Sequence, residues 1–353
     1  MKNANDDSAQ FSVAAAEGAA CVGDESAAKH SEGQLFELPT SCRLCPRLCG
    51  ADRAAGERGY CGADDKLLVA RAALHFWEEP PISGKRGSGA IFFSYCSLRC
   101  VFCQNAVIAA GRAGREVSVE RVAQMCCELE AQGALNLNMV TPTHYAPQVR
   151  AAVRLAREAG CVLPVVWNTS GYETVQAVRA NEGVADIYLP DCKYADSLLA
   201  ARYSKAPDYP KVAMAAIEAM VDQVGRPQFD EVDGQPRMLR GVIVRHLMLP
   251  GHLDDSMRVV KMVHERFGDD VLLSIMNQYT PVLVDTACSD DAQSSEQAQT
   301  VLARCPELAS RVPDEDYERL LDYADELGVE DYFWQVGGAA QESFIPAWDL
   351  TGV

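Results

Sequence analysis

The sequence predicts an α/β protein whose core is a partial (β/α)6 barrel preceded by a cysteine-rich metal-binding extension. Short apolar runs alternate with amphipathic stretches, the pattern of parallel strands joined by helical crossovers. Six strand–helix units of this kind occur, and polar residues follow each run. Seven of the fourteen cysteines fall in two groups, one before the first unit and one directly after its strand.

The alternation can be followed element by element along the middle of the chain. Val, Ile and Leu dominate the runs, and Ser, Thr or Asp often stands where a helix would begin. The predicted strands are residues 90–95, 135–141, 162–169, 187–191, 241–249 and 271–276. The predicted helices are residues 118–132, 147–159, 174–181, 211–224 and 256–267. Right-handed crossovers would place the carboxyl ends of all six strands at one rim, where the chemistry of such barrels collects.

Composition divides the chain into four predicted regions. Residues 1–36 are rich in Ala, Ser, Gly and acidic residues without a sustained period, which predicts a disordered tail. Residues 37–84 form the cysteine-rich extension and residues 85–284 form the core. Residues 285–353 are predicted to begin with a mobile acidic loop, up to about residue 299, and to continue as a helical extension.

Composition and charge exclude several classes of protein. No apolar run reaches the ~18 residues needed to cross a bilayer, and the amino terminus lacks a basic segment followed by an apolar one. We therefore expect a cytoplasmic protein without a membrane partner. The net charge is −18, yet residues 42–284 hold equal numbers of basic and acidic side chains, so the acidity lies at the ends. No basic cluster is present, which argues against a nucleic-acid partner.

The first candidate metal site is the loop after the first predicted strand. Cys96, Cys100 and Cys103 are spaced C-x3-C-x2-C. Three thiolates at this spacing can hold three irons of a [4Fe-4S] cluster and leave the fourth iron open for another ligand. The alternative is a set of structural cysteines or a zinc knuckle, but zinc prefers four ligands.

The second candidate metal site lies upstream, where Cys42, Cys45, Cys49 and Cys61 are spaced C-x2-C-x3-C-x11-C. A four-cysteine zinc site would be closed and structural, whereas a second iron–sulfur cluster would relay electrons. The spacing satisfies either geometry, and free thiols are the third alternative. The remaining seven cysteines are scattered and are interpreted as small buried residues or tail thiols.

These cysteine motifs and three further segments resemble the radical S-adenosylmethionine (SAM) superfamily, and within it the PflX-like branch related to pyruvate formate-lyase activating enzymes. The resemblance covers residues 42–284 and rests on residues 42–46 (CRLCP), 73–83 (ALHFWEEPPIS), 94–105 (SYCSLRCVFCQN), 140–145 (VTPTHY) and 344–349 (FIPAWD). It implies a radical SAM barrel in which the amino and carboxylate groups of SAM bind the fourth iron.

The resemblance also implies a reaction and its partners. Reductive cleavage of SAM would give a 5′-deoxyadenosyl radical, which would abstract hydrogen from a substrate. That substrate would be a protein with a reactive glycine, as in glycyl-radical enzymes, or else a small molecule or another peptide. A reducing donor such as flavodoxin or ferredoxin would supply the electron.

Two predicted SAM contacts depart from the pattern of the activating enzymes. Thr143 and His144 stand where those relatives have the Gly-Gly-Glu motif that binds the SAM amino group, and they lack its carboxylate charge. His144 could equally be a helix-start residue. Asn168 and Thr169 stand where the relatives have the Asp-Thr pair that helps bind a monovalent cation, and the neutral Asn168 leaves that cation site open to question.

Four further residues match positions that contact SAM in the relatives. Lys193 would bind the carboxylate or ribose oxygens, and Asp191 a hydroxyl or a cation. Arg245 would fork onto the carboxylate, and Asn277 would lie near the ribose. The alternatives are structural ion pairs for the charged residues and a strand-end cap for Asn277.

Glu78 and Glu79 form an acidic pair in an apolar setting, between Trp77 and Pro80. The favoured interpretation is a solvated pair that blunts a sheet edge. The alternative is that one of them orients a substrate amide or a metal-site group.

A hypothesis from another class is an iron–sulfur electron carrier or a metal-binding interaction protein without SAM turnover. The departure at Thr143 and His144 favours it. The gathering of Asp191, Lys193 and Arg245 at one rim disfavours it, because a carrier has no use for such a group.

Overall fold

The computed structural model describes residues 35–289, 291–334 and 345–353. The predicted disordered tail therefore lies outside the described residues, except for its last two positions. None of the helices in these ranges is long and apolar enough to cross a membrane.

A single mixed sheet organises the described part of the chain. Its strands are β1 (Leu67–His75), β2 (Ser88–Phe93), β3 (Arg115–Val117), β4 (Leu137–Val140), β5 (Val165–Thr169), β6 (Ile187–Pro190), β7 (Gln228–Val232), β8 (Gln235–Leu247), β9 (Leu272–Met276) and β10 (Tyr332–Phe333). They lie in the order β10-β9-β8-β6-β5-β4-β2-β1-β3, with β7 paired to β8 outside this path.

The six predicted strands correspond to β2, β4, β5, β6, β8 and β9, which pair in parallel. The α/β class with a parallel sheet is therefore confirmed. Within the described residues the sheet does not close, since β10 and β3 stand at its two edges. Sequence analysis missed β1, which pairs antiparallel with β2 and β3.

Eleven α-helices accompany this sheet in the described residues. They are α1 (Pro80–Ser83), α2 (Ala106–Ala109), α3 (Val119–Ala131), α4 (Ala146–Glu158), α5 (Val175–Arg179), α6 (Ser197–Ser204), α7 (Tyr209–Val224), α8 (Leu253–Phe267), α9 (Val282–Ala287), α10 (Ala292–Arg304) and α11 (Asp314–Glu326). Side-chain caps begin three of them: Ser118 accepts from Arg121 N, Thr174 from Ala177 N, and Asp196 from Leu198 N.

The two faces of the parallel strands pack into different apolar clusters, because successive side chains of a strand point to opposite faces. On β5, Val165 and Trp167 pack into the large cluster shared with the helices. Val166, between them, packs into a smaller inner cluster with Ile187, Leu189, Met238 and Ile243. Ile82 of α1 joins this inner cluster, so α1 packs against the inner face of the parallel strands.

The prediction of a mobile acidic loop up to about residue 299 is wrong. The structure has the end of α9 and most of α10 there. Ala, Gln and Glu are good helix formers, and Ala298 packs at only 2% exposure in the main cluster. Ser295 Oγ donates to the carbonyl of Ala287 at 2.6 Å, which fixes the two helices to each other.

Candidate active site at the carboxyl rim of the sheet

A cavity of about 410 Å³ opens at the carboxyl ends of the parallel strands. Its walls come from the loops after β2, β4, β5, β6 and β9, from β8, and from the segment between β1 and α1. Parallel strands bring these loops together at one rim, as the sequence predicted. The volume lies within the range of small-molecule sites.

The cysteine loop forms one wall of this cavity. Cys96, Cys100 and Cys103 all line it as free, partly exposed thiols. Burial, together with the neighbouring Cys100 and Cys96, raises the pKa of Cys103 to about 12, so the three sulfurs lie close together. The loop is folded back sharply, with Tyr95 at φ +71° and Arg99 at φ +57°.

This donor set suits an iron–sulfur cluster better than a single ion. In the described residues, no group of three or more His, Cys, Asp or Glu side chains is arranged to hold one metal ion. A four-iron cluster has no such need, since each thiolate binds a different iron. Three thiols on one wall, open to a polar cavity, fit that requirement.

Oppositely charged side chains lie in contact beside the cysteine loop. Lys193 Nζ lies 2.6 Å from Asp191 Oδ2, and Arg245 Nε lies 3.2 Å from Asp191 Oδ1. Burial would raise the pKa of Asp191, but the charges of Lys193 and Arg245 outweigh it and hold the pKa below its usual range. Asp191 is therefore ionised. Lys193 also interacts electrostatically with Cys100 and Cys103, which connects the ion pair to the thiols.

Arg245 holds several strands together within the cavity. Its Nη2 donates to Asn168 Oδ1 at 2.7 Å, and its Nη1 donates to Glu78 Oε2 at 3.1 Å. With Asp191 on Nε, each guanidinium nitrogen has a partner. Thr169 and Asn277 also line the cavity, so six of the eight predicted SAM contacts lie around one space.

Thr143 and His144 are not among the residues that line the cavity, which corrects their predicted position. Thr143 Oγ1 donates to the buried Glu173 at 2.8 Å, and the His144 imidazole donates from Nε2 to the carbonyl of Ser94 at 2.7 Å. Both side chains are almost fully buried behind the rim. Thr141, two residues earlier, lines the cavity instead with φ +59°.

Glu78 and Glu79 are a second correction, because the solvated edge pair favoured by the sequence is wrong. Both side chains line the cavity, and Glu79 is only 7% exposed. Glu78 Oε1 accepts from Asn138 Nδ2 at 2.9 Å and from Asn168 Nδ2 at 3.3 Å. The Pro80-Pro81 pair was the available signal, because prolines at the first positions of a helix begin α1 directly after Glu79 and take this segment away from an edge strand.

The upstream cysteines form a separate group that does not line the cavity. Cys42, Cys45 and Cys61 are buried and Cys49 is exposed. Backbone turns bring them together: Leu48 N donates to Cys45 O, and Gly50 N to Cys42 O, both at 3.1 Å. A Cβ built on Gly59 would lie 3.2 Å from Cys49 Sγ and 3.5 Å from Cys61 Sγ, which puts these two sulfurs on one side of the turn.

Two arginines bridge the two cysteine groups, and a third lies beside the upstream one. Arg47 donates to the carbonyls of Ser97 and Leu98 in the downstream loop, at 3.0 and 3.1 Å. In return Arg99 Nη1 donates to Tyr60 O, next to Cys61, at 3.3 Å. Arg53 is fully buried beside Cys42 and Cys61 and donates to Asp64 O at 2.6 Å and His144 O at 3.3 Å.

No family model matches this chain. It is similar to an uncharacterised protein of Methanocaldococcus jannaschii, MJ0674, with 26% identity over 251 residues, 68% of this chain and 66% of that protein. It is also similar in structure to Streptococcus suis SuiB bound to the precursor peptide SuiA, with a TM-score of 0.43, 14% identity, and coverage of 69% of this chain and 46% of SuiB.

SuiB bound to S-adenosylmethionine gives the same TM-score, 0.43, with 14% identity over 71% of this chain and 50% of that chain. The chain therefore spans about half the length of these solved chains and just under two thirds of the curated relative.

Proposed function

We propose that this protein is a radical SAM iron–sulfur enzyme. The observation that carries the proposal is the shared cavity: three free cysteines on one loop face the same space as Asp191, Lys193, Arg245 and Asn277. A simple electron carrier would not need an ordered polar wall opposite its cluster. The resemblance of residues 94–105 to the superfamily's cluster loop points the same way.

The cysteine loop would hold the cluster through Cys96, Cys100 and Cys103. When bound and reduced, the cluster would pass one electron to the sulfonium of SAM, whose C5′–S bond breaks to methionine and a 5′-deoxyadenosyl radical that takes a hydrogen atom from the substrate. Ser204 Oγ donates to Cys100 Sγ at 3.1 Å and would stabilise negative charge on that sulfur.

The polar wall would hold SAM beside the cluster. Lys193 is the residue we assign to the SAM carboxylate, because its ammonium already lies near Cys100 and Cys103. Arg245 would act mainly by fixing Asp191, Asn168 and Glu78, since all three of its nitrogens have partners. We assign Asn277 to the ribose. Thr143 and His144 are dropped from the SAM site because they lie behind the rim.

The test is anaerobic reconstitution with iron and sulfide, reduction, and addition of SAM, with 5′-deoxyadenosine measured by chromatography. We expect 5′-deoxyadenosine and methionine in equal amounts, and a changed paramagnetic signal of the reduced cluster when SAM binds. The variant Cys96→Ala/Cys100→Ala/Cys103→Ala should give neither product. Cys288→Ala, which removes an exposed thiol far along the chain, controls for the loss of a cysteine and should behave as wild type.

A second candidate function is an iron–sulfur carrier without SAM turnover. The burial of Thr143 and His144 favours it, because the SAM amino group loses its expected acceptor at β4. A fully loaded protein that yields no 5′-deoxyadenosine and whose cluster signal ignores SAM would establish this function and overturn the first.

We further propose that the upstream group, Cys42, Cys45, Cys49 and Cys61, binds a second metal centre, either zinc or an iron–sulfur cluster; the lack of a single-ion arrangement among the described residues favours the cluster. Four cysteines gathered by short turns are the donor set of both. The metal content of the Cys96→Ala/Cys100→Ala/Cys103→Ala variant decides between them. One zinc per chain identifies a structural site, about four irons per chain identify a cluster, and an absence of both metals overturns the proposal.

For the substrate, the resemblance favours a glycine in a partner protein, and for the electron, a flavodoxin or ferredoxin. The exposed Phe76 and Trp77 at the mouth of the cavity suit a polypeptide. Incubation with a candidate glycyl-radical enzyme and SAM should give the doublet signal of a glycyl radical. A small molecule that is consumed with 5′-deoxyadenosine release, in the absence of any such signal, would redirect the assignment.

A further inference from the structure

Glu79 presents an unused carboxylate oxygen to the cavity. Its side chain is only 7% exposed and belongs to the cavity wall. Its Oε2 is buried and has no hydrogen-bond partner among the described residues. Buried carboxylate oxygens without a partner are costly, since they lose their hydration without replacement. An oxygen left in this state at the wall of a cavity is a position where a ligand donor would be stabilised.

The surroundings of Glu79 set the charge of that ligand. Arg245 and Lys193 face three carboxylates in this part of the cavity, those of Glu78, Glu79 and Asp191. The two cations are already engaged, with Arg245 on Asp191 and Glu78 and Lys193 on Asp191. One negative charge is thus left over when all five groups are ionised. Burial raises the pKa of Glu79 above its usual range despite the charge of Arg245, so a cation beside this carboxyl would favour its ionised form.

His75, which also lines the cavity, does not supply the missing positive charge. Burial, together with the charges of Arg71 and Arg245, lowers its pKa to about 4, so the imidazole is neutral near pH 7. A ligand that brings a cation would balance the site, whereas an anion would add to the excess.

The position of Glu79 within the cavity distinguishes two ligands that carry an ammonium. SAM's own amino group would sit at the open iron, beside the cysteine loop. Contacts run from that loop through Lys193 to Asp191 and then to Arg245, and Glu79 follows beyond Arg245. Ile82 of α1, whose backbone N–H donates to Glu79 O at 2.8 Å, packs in the inner apolar cluster and does not line the cavity, so Glu79 stands where the cavity meets that cluster.

We propose that Glu79 binds a protonated amine of the substrate and thereby positions the substrate beneath SAM. The inference rests on the proposed function for the identity of the cavity as a substrate site. It restricts the substrate to molecules or peptides that carry an ammonium group, such as a lysine side chain or an amino terminus. Glu78, whose two oxygens are occupied by Arg245, Asn138 and Asn168, serves as support rather than as receptor.

The test compares two probes of similar size, n-butylammonium and n-butanol, by isothermal titration calorimetry on the cluster-reconstituted protein at constant ionic strength. We expect the wild type to bind the ammonium at least ten-fold more tightly than the alcohol. Glu79→Gln should lose this preference, and Glu79→Asp should keep part of it. Glu158→Gln, an exposed residue with the same change of charge, should retain the full preference and excludes an effect of net charge.

Two outcomes would overturn the inference: no preference for the ammonium in the wild type, or an equal preference in Glu79→Gln. Thermal unfolding of each variant shows whether it is folded, and Glu79→Asp decides the matter if the Gln variant is not. Failure of the proposed function is seen separately, as a wild type that yields no 5′-deoxyadenosine. A preference for the ammonium can be measured whichever result that assay gives.

Discussion

The two cysteine groups of this protein have similar local structure but lie in different positions relative to the cavity. The downstream group, Cys96, Cys100 and Cys103, lines the cavity at the carboxyl rim of the sheet. The upstream group, with Cys42, Cys45 and Cys61 buried, packs behind that loop and does not reach the cavity. Both are irregular loops held by backbone turns, so local structure does not separate them.

The cation beside each group shows what the placement does. Lys193, next to the downstream thiols, reaches into a cavity where a ligand can exchange with its partners. Arg53, next to the upstream thiols, is fully buried and held by main-chain carbonyls. The first arrangement leaves room for a reaction, and the second is closed. Spacing specifies a donor set, whereas position relative to the sheet decides whether that set is open.

The largest expected effect comes from removing each group in turn. Cys96→Ala/Cys100→Ala/Cys103→Ala should lower 5′-deoxyadenosine formation to background, because the open cluster would be lost, and should retain the upstream metal. Cys42→Ala/Cys45→Ala/Cys61→Ala should lose the upstream metal. Its remaining SAM cleavage with dithionite as reductant should stay measurable, since dithionite can reduce the open cluster directly.

This distinction between the two groups would be wrong if 5′-deoxyadenosine formation by the upstream variant also fell to background. Circular dichroism and iron content would have to show that this variant is folded and that its downstream loop is loaded. The upstream group would then be part of the reaction. Cys127→Ala, which removes a partly buried thiol on α3 away from both groups, is the control for loss of a cysteine as such.

Most of the fold was predictable from sequence for a physical reason. The central strands are buried on both faces, so they appear as continuous apolar runs of about the right length. The polar residues that follow them, such as Asp191, Lys193 and Asn277, gather at one rim because parallel strands share a direction. Strand β1 was missed because its antiparallel pairing with β2 has no counterpart in a strand–helix repeat.

The parts of the site that were not predictable depend on where a short segment turns. Glu78 and Glu79 look like exposed edge residues until the chain is known to turn into the cavity at α1. Thr143 and His144 follow a strand end, as a rim residue should, but the short 3-10 turn at Thr143–Tyr145 buries them. Hydrophobic periodicity carries no information about such turns, since it records faces of regular elements only.

Arg53→Met should sharpen the comparison at the closed group. The substitution removes a buried guanidinium and leaves the carbonyls of Asp64 and His144 without a donor. Each buried unsatisfied group costs about 1–3 kcal/mol, so for the two carbonyls we expect the free energy of unfolding to fall by about 2–6 kcal/mol. Metal bound at the upstream group should also fall, because the buried cation beside thiolates would be gone.

Urea denaturation and metal analysis measure these two effects of Arg53→Met. Arg58→Met is the control, since its side chain is 68% exposed and its ion pair with Asp64 is on the surface. Equal losses of stability in the two variants would mean that Arg53 has no special role. Unchanged metal content in Arg53→Met would separate its structural role from the metal centre.

Arg47→Met should affect the connection between the groups more mildly. Arg47 donates to Ser97 O and Leu98 O within the downstream loop and to Ser204 O on α6. Without these bonds the loop should be less ordered, and the SAM concentration at half-maximal cleavage should rise several-fold while iron content stays near wild type. Arg43→Met, an exposed arginine of the same segment, should leave it unchanged. A loss of maximal rate at unchanged half-saturation would contradict a role in loop order.

The smallest effect concerns pH, through the histidine that lies between the groups. His144 accepts Arg53 at its carbonyl and donates from its ring to Ser94, two residues before Cys96. Burial, together with Arg53 and despite the opposing bond to Ser94, lowers its pKa to about 3. The unfolded value is about 6.5, so the folded pKa is the lower one. As pH falls below 6.5, the unfolded chain gains a proton that the folded chain does not, and stability decreases.

For one such histidine the loss is about 1.4 kcal/mol at pH 5.5 relative to pH 7.5 and above. His144→Gln should therefore lose less stability than wild type between pH 7.5 and 5.5, although it should start lower because its bond to Ser94 is altered. His264→Gln, partly exposed on α8, should keep the wild-type difference. His75 and His246 are unchanged in both variants, so their own acid sensitivity cancels. If His144→Gln lost as much stability as wild type over this range, the imidazole between the groups would be accessible to protons. The buried region around the upstream cysteines would then be more accessible to solvent than its burial indicates.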